Sequence, residues 1–106
     1  MKRSPPVSGR LTPLQTRILQ AVADLEVGEV VSFSDIATRA GHARAARAVG
    51  AVLAGAGDYP WWRVVYADGH LPPCNPGLQA QRLTEEGAQL RGFRVMRSPR
   101  GRFASE

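Results

Sequence analysis

The segment from Ser32 to Ala54 constrains the fold more than any other part of the chain. Ser32 or Ser34 can cap the start of a helix, and the apolar residues that follow at helical spacing predict one buried face. Gly41 then supplies a turn, and a second helix rich in alanine and arginine is predicted from about residue 43 to residue 54. Two helices joined by a glycine-containing turn are the layout of a helix-turn-helix. We therefore predict a single small α/β domain that is dominated by helices.

The chain before this segment predicts one further helix and one strand. Residues 1–10 contain two prolines and a glycine and are expected to form a flexible basic arm. Thr12, Pro13 and Gln15 have the spacing of a helix start with a capping box. The apolar residues Leu14, Ile18, Val22 and Leu25 then recur at intervals of four and three. Val30 and Val31 predict a short strand after Gly28.

The chain after this segment reads as short extended pieces around one helix. Residues 61–66 have extended propensity, and Asp68-Gly69 marks a turn. Asn75-Pro76 is expected to cap a helix that ends at about Glu86, with Gly87 closing it. Residues 92–96 are interpreted as a final strand. The predicted organisation is an arm over residues 1–10, a helix-turn-helix domain over 11–97 and a basic tail over 98–106.

The charge of the chain favours a polyanionic partner. Arginine and lysine number 14 against nine acidic residues, the pI is about 10.7, and Lys2 is the one lysine. Arginine carries a planar fork of donors that suits phosphates and stacks on bases. The alternative is a basic surface that has no partner, and charge alone does not separate the two readings.

Few residues here have the chemistry of a metal or covalent site. Cys74 is the single cysteine, and His42 and His70 are the two histidines, so neither an intrachain disulfide nor a four-cysteine zinc site is available. Their spacing supports no metal site, and no cofactor is implied. The sequence contains no apolar run near the ~20 residues of a membrane span. We expect a monomer located in the cytoplasm, associated with the nucleoid when DNA is bound.

Three motifs, in order, resemble those of the O6-alkylguanine-DNA alkyltransferases. Residues 28–53 read GEVVSFSDIATRAGHARAARAVGAVL, similar to the family run GxVxTYGxIAxxxGxPxAxRAVGxAx. Residues 60–65 read PWWRVV, similar to the active-site signature PCHRVV, and residues 83–87 read LTEEG, similar to LxxEG. The resemblance covers roughly Leu11 to Arg97 and is specific because the three motifs match together. It implies the winged helix-turn-helix-like core of the alkyltransferase C-terminal domain.

The active-site signature differs at its two reactive positions. Trp61 stands at the place of the cysteine that accepts the alkyl group, and Trp62 at the place of the histidine that helps to remove its proton. An indole cannot replace a thiolate as a nucleophile. The chain in this respect resembles the alkyltransferase-like proteins, which carry tryptophan at the cysteine position. Glu86 matches the acid that orients the missing histidine, so a structural hydrogen bond is expected there.

The resemblance also implies how DNA is bound. The second helix of the pair would enter the minor groove, with Arg47 inserted into the base stack in place of a flipped nucleotide. Phe33 matches a tyrosine that crowds the phosphate of the target nucleotide. The expected lesion pocket consists of Phe33, Pro60, Trp61 and Trp62. The expected DNA contacts are Ser34, Arg44, Ala45, Ala46, Ala48, Gly50, Ala51 and Arg63, although Arg63 is also expected to tie its own loop.

Each of these assignments has a structural alternative. The alanines of the second helix, Phe33 and both tryptophans could instead be packing residues, and Arg47 could be a phosphate clamp. The function expected is recognition of O6-alkylguanine in double-stranded DNA by base flipping, without catalysis, so that the lesion is flagged for nucleotide excision repair proteins. The rivals are an alkyltransferase that uses another nucleophile such as Cys74, and a DNA-binding regulator that does not recognise damage.

Overall fold

The structure is a computed structural model that describes residues 11–104, so the predicted arm over residues 1–10 lies outside the described residues. The chain divides into two compact units. Of the described residues, the first unit takes in 11–24 and 33–61, and the second takes in 25–32 and 62–104.

The first unit is helical. Its elements are α1 (Pro13–Ala23), α2 (Phe33–Arg39) and α3 (Ala46–Leu53), and each of the three packs against the other two. Their buried side chains are Ile18, Leu19, Ala21, Val22, Ile36, Ala37, Val49 and Val52. The predicted helix pair is therefore present, with apolar side chains of all three helices removed from water.

Local hydrogen bonds explain where these helices begin and end. Thr12 caps α1 as predicted: its hydroxyl accepts from the Gln15 amide at 3.1 Å, and the Gln15 side chain accepts from the Thr12 amide at 2.9 Å. Gly41 follows α2 with a φ of 87°, and the His42 amide donates back to the Ala37 carbonyl. This is a Schellman ending, which favours glycine at that position.

One of the two helices in the pair begins as predicted: α2 directly follows Ser32, one of the two expected cap residues, whereas α3 begins later than predicted. α2 begins at Phe33, so Ser34 lies inside the helix and is not its cap. α3 begins at Ala46, three residues later than predicted, because the Ala45 amide donates to the His42 carbonyl at 2.9 Å in a separate turn. Ala45 holds the cap position and makes no side-chain bond to the helix.

The second unit contains five short strands and one α-helix. Strand β1 (Glu29–Ser32) lies between β2 (Val64–Val65) and β5 (Arg100–Gly101), and both neighbours run parallel to it. Strands β3 (Gln89–Arg91) and β4 (Arg94–Arg97) form an antiparallel hairpin. Helix α4 (Pro76–Glu85) packs against β3. The buried core of this unit consists of Val30, Val65, Leu71, Leu83, Ala88 and Val95.

Several predictions about this unit are corrected. Residues 61–63 form a 3-10 helix (Trp61–Arg63), so only Val64 and Val65 of the expected extended segment are a strand. Asn75 precedes α4 without a side-chain cap bond, whereas Gly87 closes the helix region as predicted, with a φ of 101°. The single final strand is instead the β3–β4 hairpin. Within the segment assigned to a tail, Arg100 and Gly101 pair with β1.

Candidate nucleic-acid interface and the Trp61–Trp62 segment

The helix pair of the first unit carries most of the residues that the sequence assigns to DNA. Arg44 and Arg47 are exposed, as are Ser34 in α2 and Ala51 in α3. Ala45, Ala46, Ala48 and Gly50 are half-buried, while Val49 and Val52 supply the fully buried face of α3. The small residues therefore pack only in part. Apart from the buried valines, the surface of α3 therefore carries small side chains that remain partly exposed.

A contact that sequence reasoning missed holds the turn between α2 and α3. The Arg17 Nε–H donates to the Ala40 carbonyl at 2.9 Å, and Arg17 Nη2 lies 3.0 Å from His42 Nε2. Arg17 thus ties α1 to the residues on both sides of Gly41. The charge of Arg17 and its place on the outer side of an amphipathic helix gave no signal of this partner.

Three of the four expected pocket residues belong to the first unit, and all three are half-buried. Phe33 is the first residue of α2, Pro60 ends the loop after α3, and Trp61 begins the 3-10 helix. The Trp61 amide donates to the Tyr59 carbonyl at 2.7 Å, which tightens the backbone beside the indole. Their partial exposure leaves each of these side chains some surface for a ligand.

Trp62, in the second unit, is held on several sides. Its indole packs against the core of that unit, with the guanidinium carbons of Arg82 and Arg63 lying 4.7 and 5.2 Å from the ring centroid. Its Nε1–H donates to Glu86 Oε2 at 3.0 Å. Cations over an aromatic face and a bonded indole N–H are a stable setting for a half-buried tryptophan. These contacts favour the packing role for Trp62 over the pocket role.

Glu86 accepts hydrogen bonds from four donors. Its Oε1 receives the Gly28 amide at 3.2 Å and Arg63 Nε at 2.9 Å, and its Oε2 receives Trp62 Nε1 at 3.0 Å and Arg63 Nη2 at 2.7 Å. Burial by itself disfavours the charged carboxylate. The bonds from Arg63, Trp62 and Gly28 outweigh that effect and hold the pKa of Glu86 below its ordinary value of 4.5. Glu86 is thus the centre of a structural network.

Arg63 completes this network from the interior. It is 8% exposed, and besides its fork onto Glu86 it donates Nη1–H to the Leu25 carbonyl at 2.9 Å. A guanidinium engaged in this way ties the loop, as the sequence suggested. The burial and the bonds of Arg63 speak against the DNA contact that was also assigned to it.

Gln79 is a second residue that sequence reasoning missed. It is 2% exposed, and its Nε2 donates to the carbonyls of Trp62 and Val64 at 3.0 Å each. The side-chain amide of Gln79, in α4, therefore holds the backbone of the 3-10 helix at Trp62 and that of β2 at Val64. One signal was available, because Gln79 lies four residues before the buried Leu83 and so on the apolar face of a helix.

The remaining chemistry-bearing residues are spread out. Cys74 is exposed in the loop before α4. Within residues 11–104, the acidic, histidine and cysteine side chains form no cluster of three that would suit a metal ion. In the same part of the chain, no helix has both the length and the apolar character needed to cross a membrane.

Residues 13–88 match the family described as the 6-O-methylguanine DNA methyltransferase, DNA binding domain. The chain belongs to this family. A DNA base-flipping protein of Escherichia coli (strain K12) is 41% identical over an alignment of 81 residues, which covers 72% of this chain. The chain spans 63% of the length of that relative.

Solved structures agree with the family assignment. S. pombe Atl1, in complex with damaged DNA containing O6-carboxymethylguanine, is 27% identical with a TM-score of 0.68, over 77% of this chain and 82% of that chain. S. pombe ATL in complex with DNA is 24% identical with a TM-score of 0.72, over 92% and 98%. The predicted fold class, a small α/β fold like the alkyltransferase DNA-binding domain, is confirmed, and so is the resemblance to alkyltransferase-like proteins.

Proposed function

We propose that this protein binds O6-alkylguanine in double-stranded DNA, rotates the damaged nucleotide out of the duplex and holds it without removing the alkyl group. The protein would act as a damage sensor, and the bound complex would flag the lesion for nucleotide excision repair proteins. The link to excision repair rests on the family resemblance alone. The recognition step has support from the residues of the Trp61–Trp62 segment.

The observation that carries the proposal is that two neighbouring residues of the active-site motif are both replaced. Trp61 takes the place of the acceptor cysteine, and Trp62 donates its indole N–H to Glu86 at 3.0 Å. Indole nitrogen is a donor only, so Trp62 cannot take a proton from a nucleophile. Acceptor and base are both missing from the motif, while the acid and the arginine around them remain in place. In the proposed function, the protein therefore keeps its residues for binding DNA and lacks both residues that alkyl transfer requires.

The half-buried Trp61 offers what a passive pocket needs. A flat apolar indole can contact an alkyl substituent and stack on an extruded base. Damaged bases also cost less to extrude than paired ones, which gives selectivity without a chemical step. Phe33 and Pro60 are half-buried as well and are proposed as the neighbours of the base.

The exposed Arg47 and the small residues of α3, together with the exposed Arg44 in the turn before it, suit the minor groove. Alanine and glycine let a helix approach the groove closely, and the degenerate pattern of the groove allows binding at any sequence. Arg47 is proposed to fill the gap left by the flipped base, because a long stem with a flat cation can stack there and bond to the orphaned partner. The relatives support this direction, since one is named a base-flipping protein and another is bound to damaged DNA.

Binding to matched duplexes tests the proposal. Fluorescence anisotropy with guanine or O6-methylguanine at one position should give tighter binding to the lesion, and mass spectrometry of protein and DNA should show the methyl group still on the DNA. A mass gain of one methyl group on the protein would establish transfer and end the non-enzymatic reading. Equal affinity for both duplexes would instead favour a regulator that does not recognise damage.

The Arg47 role is tested by two variants. Arg47→Ala should reduce lesion affinity and the signal of a fluorescent base analogue beside the lesion. Arg47→Lys keeps the charge and loses the flat fork, so it should keep affinity for undamaged DNA while extrusion falls. If both variants extrude the base as well as the native protein, Arg47 is not the inserted residue.

Restoring the acceptor tests why chemistry is absent. Trp61→Cys brings back a thiol, but an unassisted thiol has a pKa near ~8.5 and is mostly protonated at neutral pH. We expect weaker lesion binding, as in the control Trp61→Ala, and little methyl transfer over hours by protein mass. Rapid stoichiometric methylation of Trp61→Cys would show that the pocket activates a thiol without a histidine at position 62.

A further inference from the structure

The proposed function leaves unused a basic surface on the β3–β4 hairpin. We call it the hairpin surface, and it consists of the exposed residues Arg91, Phe93, Arg94 and Met96. Residues 89–97 contain no aspartate or glutamate. Phe93 is 54% exposed and Met96 is 47% exposed, so this surface also presents large apolar side chains to the solvent.

The register of the hairpin places like charges together. Arg91 of β3 is directly opposite Arg94 of β4, across the two-residue connection Gly92-Phe93. Gly92, with a φ of 59°, suits the first central position of a tight hairpin turn. Two cations directly opposite each other across an antiparallel pair destabilise it. The protein keeps this repulsion at an exposed site. The Asp68 carboxylate attracts Arg94 and offsets part of the repulsion, and an anion bound beside Arg91 would relieve the rest.

The hairpin is also fixed rather than free. The Val95 amide donates to the Gly69 carbonyl at 2.8 Å, and the Leu71 amide donates to the Phe93 carbonyl at 2.9 Å. Arg94 Nε donates to the Asp68 carbonyl at 2.9 Å, which orients its guanidinium. The carboxylate of Asp68 lies 2.8 Å from His70 Nδ1. Oriented cations on a fixed backbone bind an anion with less loss of freedom than mobile ones.

We propose that the hairpin surface binds the sugar–phosphate backbone of duplex DNA, as a contact separate from the helix pair. Arginine forks fit phosphate oxygens, and the exposed Phe93 and Met96 suit the apolar faces of deoxyribose. The proposal rests on the proposed function for the identity of the partner. It adds a contact that carries affinity for any duplex and no preference for the lesion.

The test compares two variants that each remove one charge. Arg91→Gln removes the cation that lies opposite Arg94. The matched control, Arg100→Gln, removes an exposed cation that is already paired with Glu26 at 2.7 Å. Affinity for undamaged and O6-methylguanine duplexes is measured by anisotropy over a range of salt concentrations. One lost phosphate contact lowers the salt slope by about 0.9, which corresponds to about eightfold in affinity at 0.1 M salt.

The expected result is an equal loss on both duplexes. Arg91→Gln should weaken each about eightfold and leave their affinity ratio unchanged, while Arg100→Gln changes affinity less than twofold. The midpoint of urea unfolding of Arg91→Gln should stay the same or rise, because the repulsion with Arg94 is removed. Equal effects of the two variants, or an unchanged salt slope in Arg91→Gln, would overturn the proposal.

Two further outcomes separate this proposal from its rivals. If polyglutamate binds the native protein, and Arg91→Gln abolishes that binding without changing affinity for DNA, the surface serves an acidic protein and the proposal is overturned. If the native protein shows no preference for the lesion, the proposed function fails, whereas the hairpin proposal is still judged on the undamaged duplex.

Discussion

Replacing Glu86 by glutamine tests whether its carboxylate holds the second unit together. Each carboxylate oxygen accepts two donors: Oε1 from Gly28 and Arg63, and Oε2 from Trp62 and Arg63. A glutamine amide has one oxygen and one NH2 group. In either orientation the NH2 group would face two donors, so Glu86→Gln loses two hydrogen bonds whichever way the side chain turns.

The structure sets the size of the effect. Each donor left without a partner away from water costs about 1–3 kcal/mol, and breaking a buried ion pair costs about 3–5 kcal/mol. The side chains of Arg63 and Glu86 are 10% and 15% exposed, which places the pair near the lower end of that range. We therefore expect Glu86→Gln to lower the free energy of unfolding by about 3 kcal/mol, and the Tm by about 12 °C or more.

Urea unfolding followed by circular dichroism and tryptophan fluorescence measures this loss. Glu85→Gln is the matched control, because it removes the same charge from the adjacent residue, where the carboxylate is exposed and accepts one 3.4 Å bond from Gln81. The control should stay within about 0.5 kcal/mol of the native protein. A loss below about 1 kcal/mol for Glu86→Gln would refute the reasoning that the network is structural.

The same network has a pH dependence of known sign. Because the pKa of Glu86 is lower in the folded protein than its ordinary 4.5, the ionised carboxylate stabilises the fold above that pH. This contribution is lost as the pH falls from about 4.5 through the lower folded value. The difference in unfolding free energy between the native protein and Glu86→Gln should therefore be largest near neutral pH and should shrink in acid. A constant difference from pH 7 to pH 3 would contradict the assignment.

Three further substitutions have expected outcomes that the same unfolding experiment measures. Gly69→Ala should lower the free energy of unfolding by at least about 2 kcal/mol, since the φ of Gly69 is 95° and an added Cβ would lie 2.3 Å from the Val95 carbonyl oxygen. Its control, Gly77→Ala, has open space around the added Cβ and should not lower the free energy of unfolding. Gln79→Leu should cost about 2 kcal/mol because the carbonyls of Trp62 and Val64 lose their donor. Thr12→Ala should cost about 1 kcal/mol through the lost cap of α1.

Features whose cause lies within a few residues could be predicted from the sequence. The Thr12 cap, the endings at Gly41 and Gly87 and the apolar face of α1 all follow from neighbours in the chain. The family followed from three motifs in order. The hairpin was misread because the strand predicted over residues 92–96 took in the turn at Gly92 and left out β3.

The sequence by itself determined that position 61 carries no thiol, and an indole cannot accept an alkyl group as a cysteine does in any fold. The sequence suggested structural roles for Arg63 and Glu86, but only the tertiary structure decided which groups they and Trp62 bond to, because these partners lie 23 to 58 residues apart in the chain. It also decided that Arg100 and Gly101 are a strand beside β1. Hydrogen bonds between distant segments depend on how the chain brings those segments together, and no local pattern of residue types encodes that.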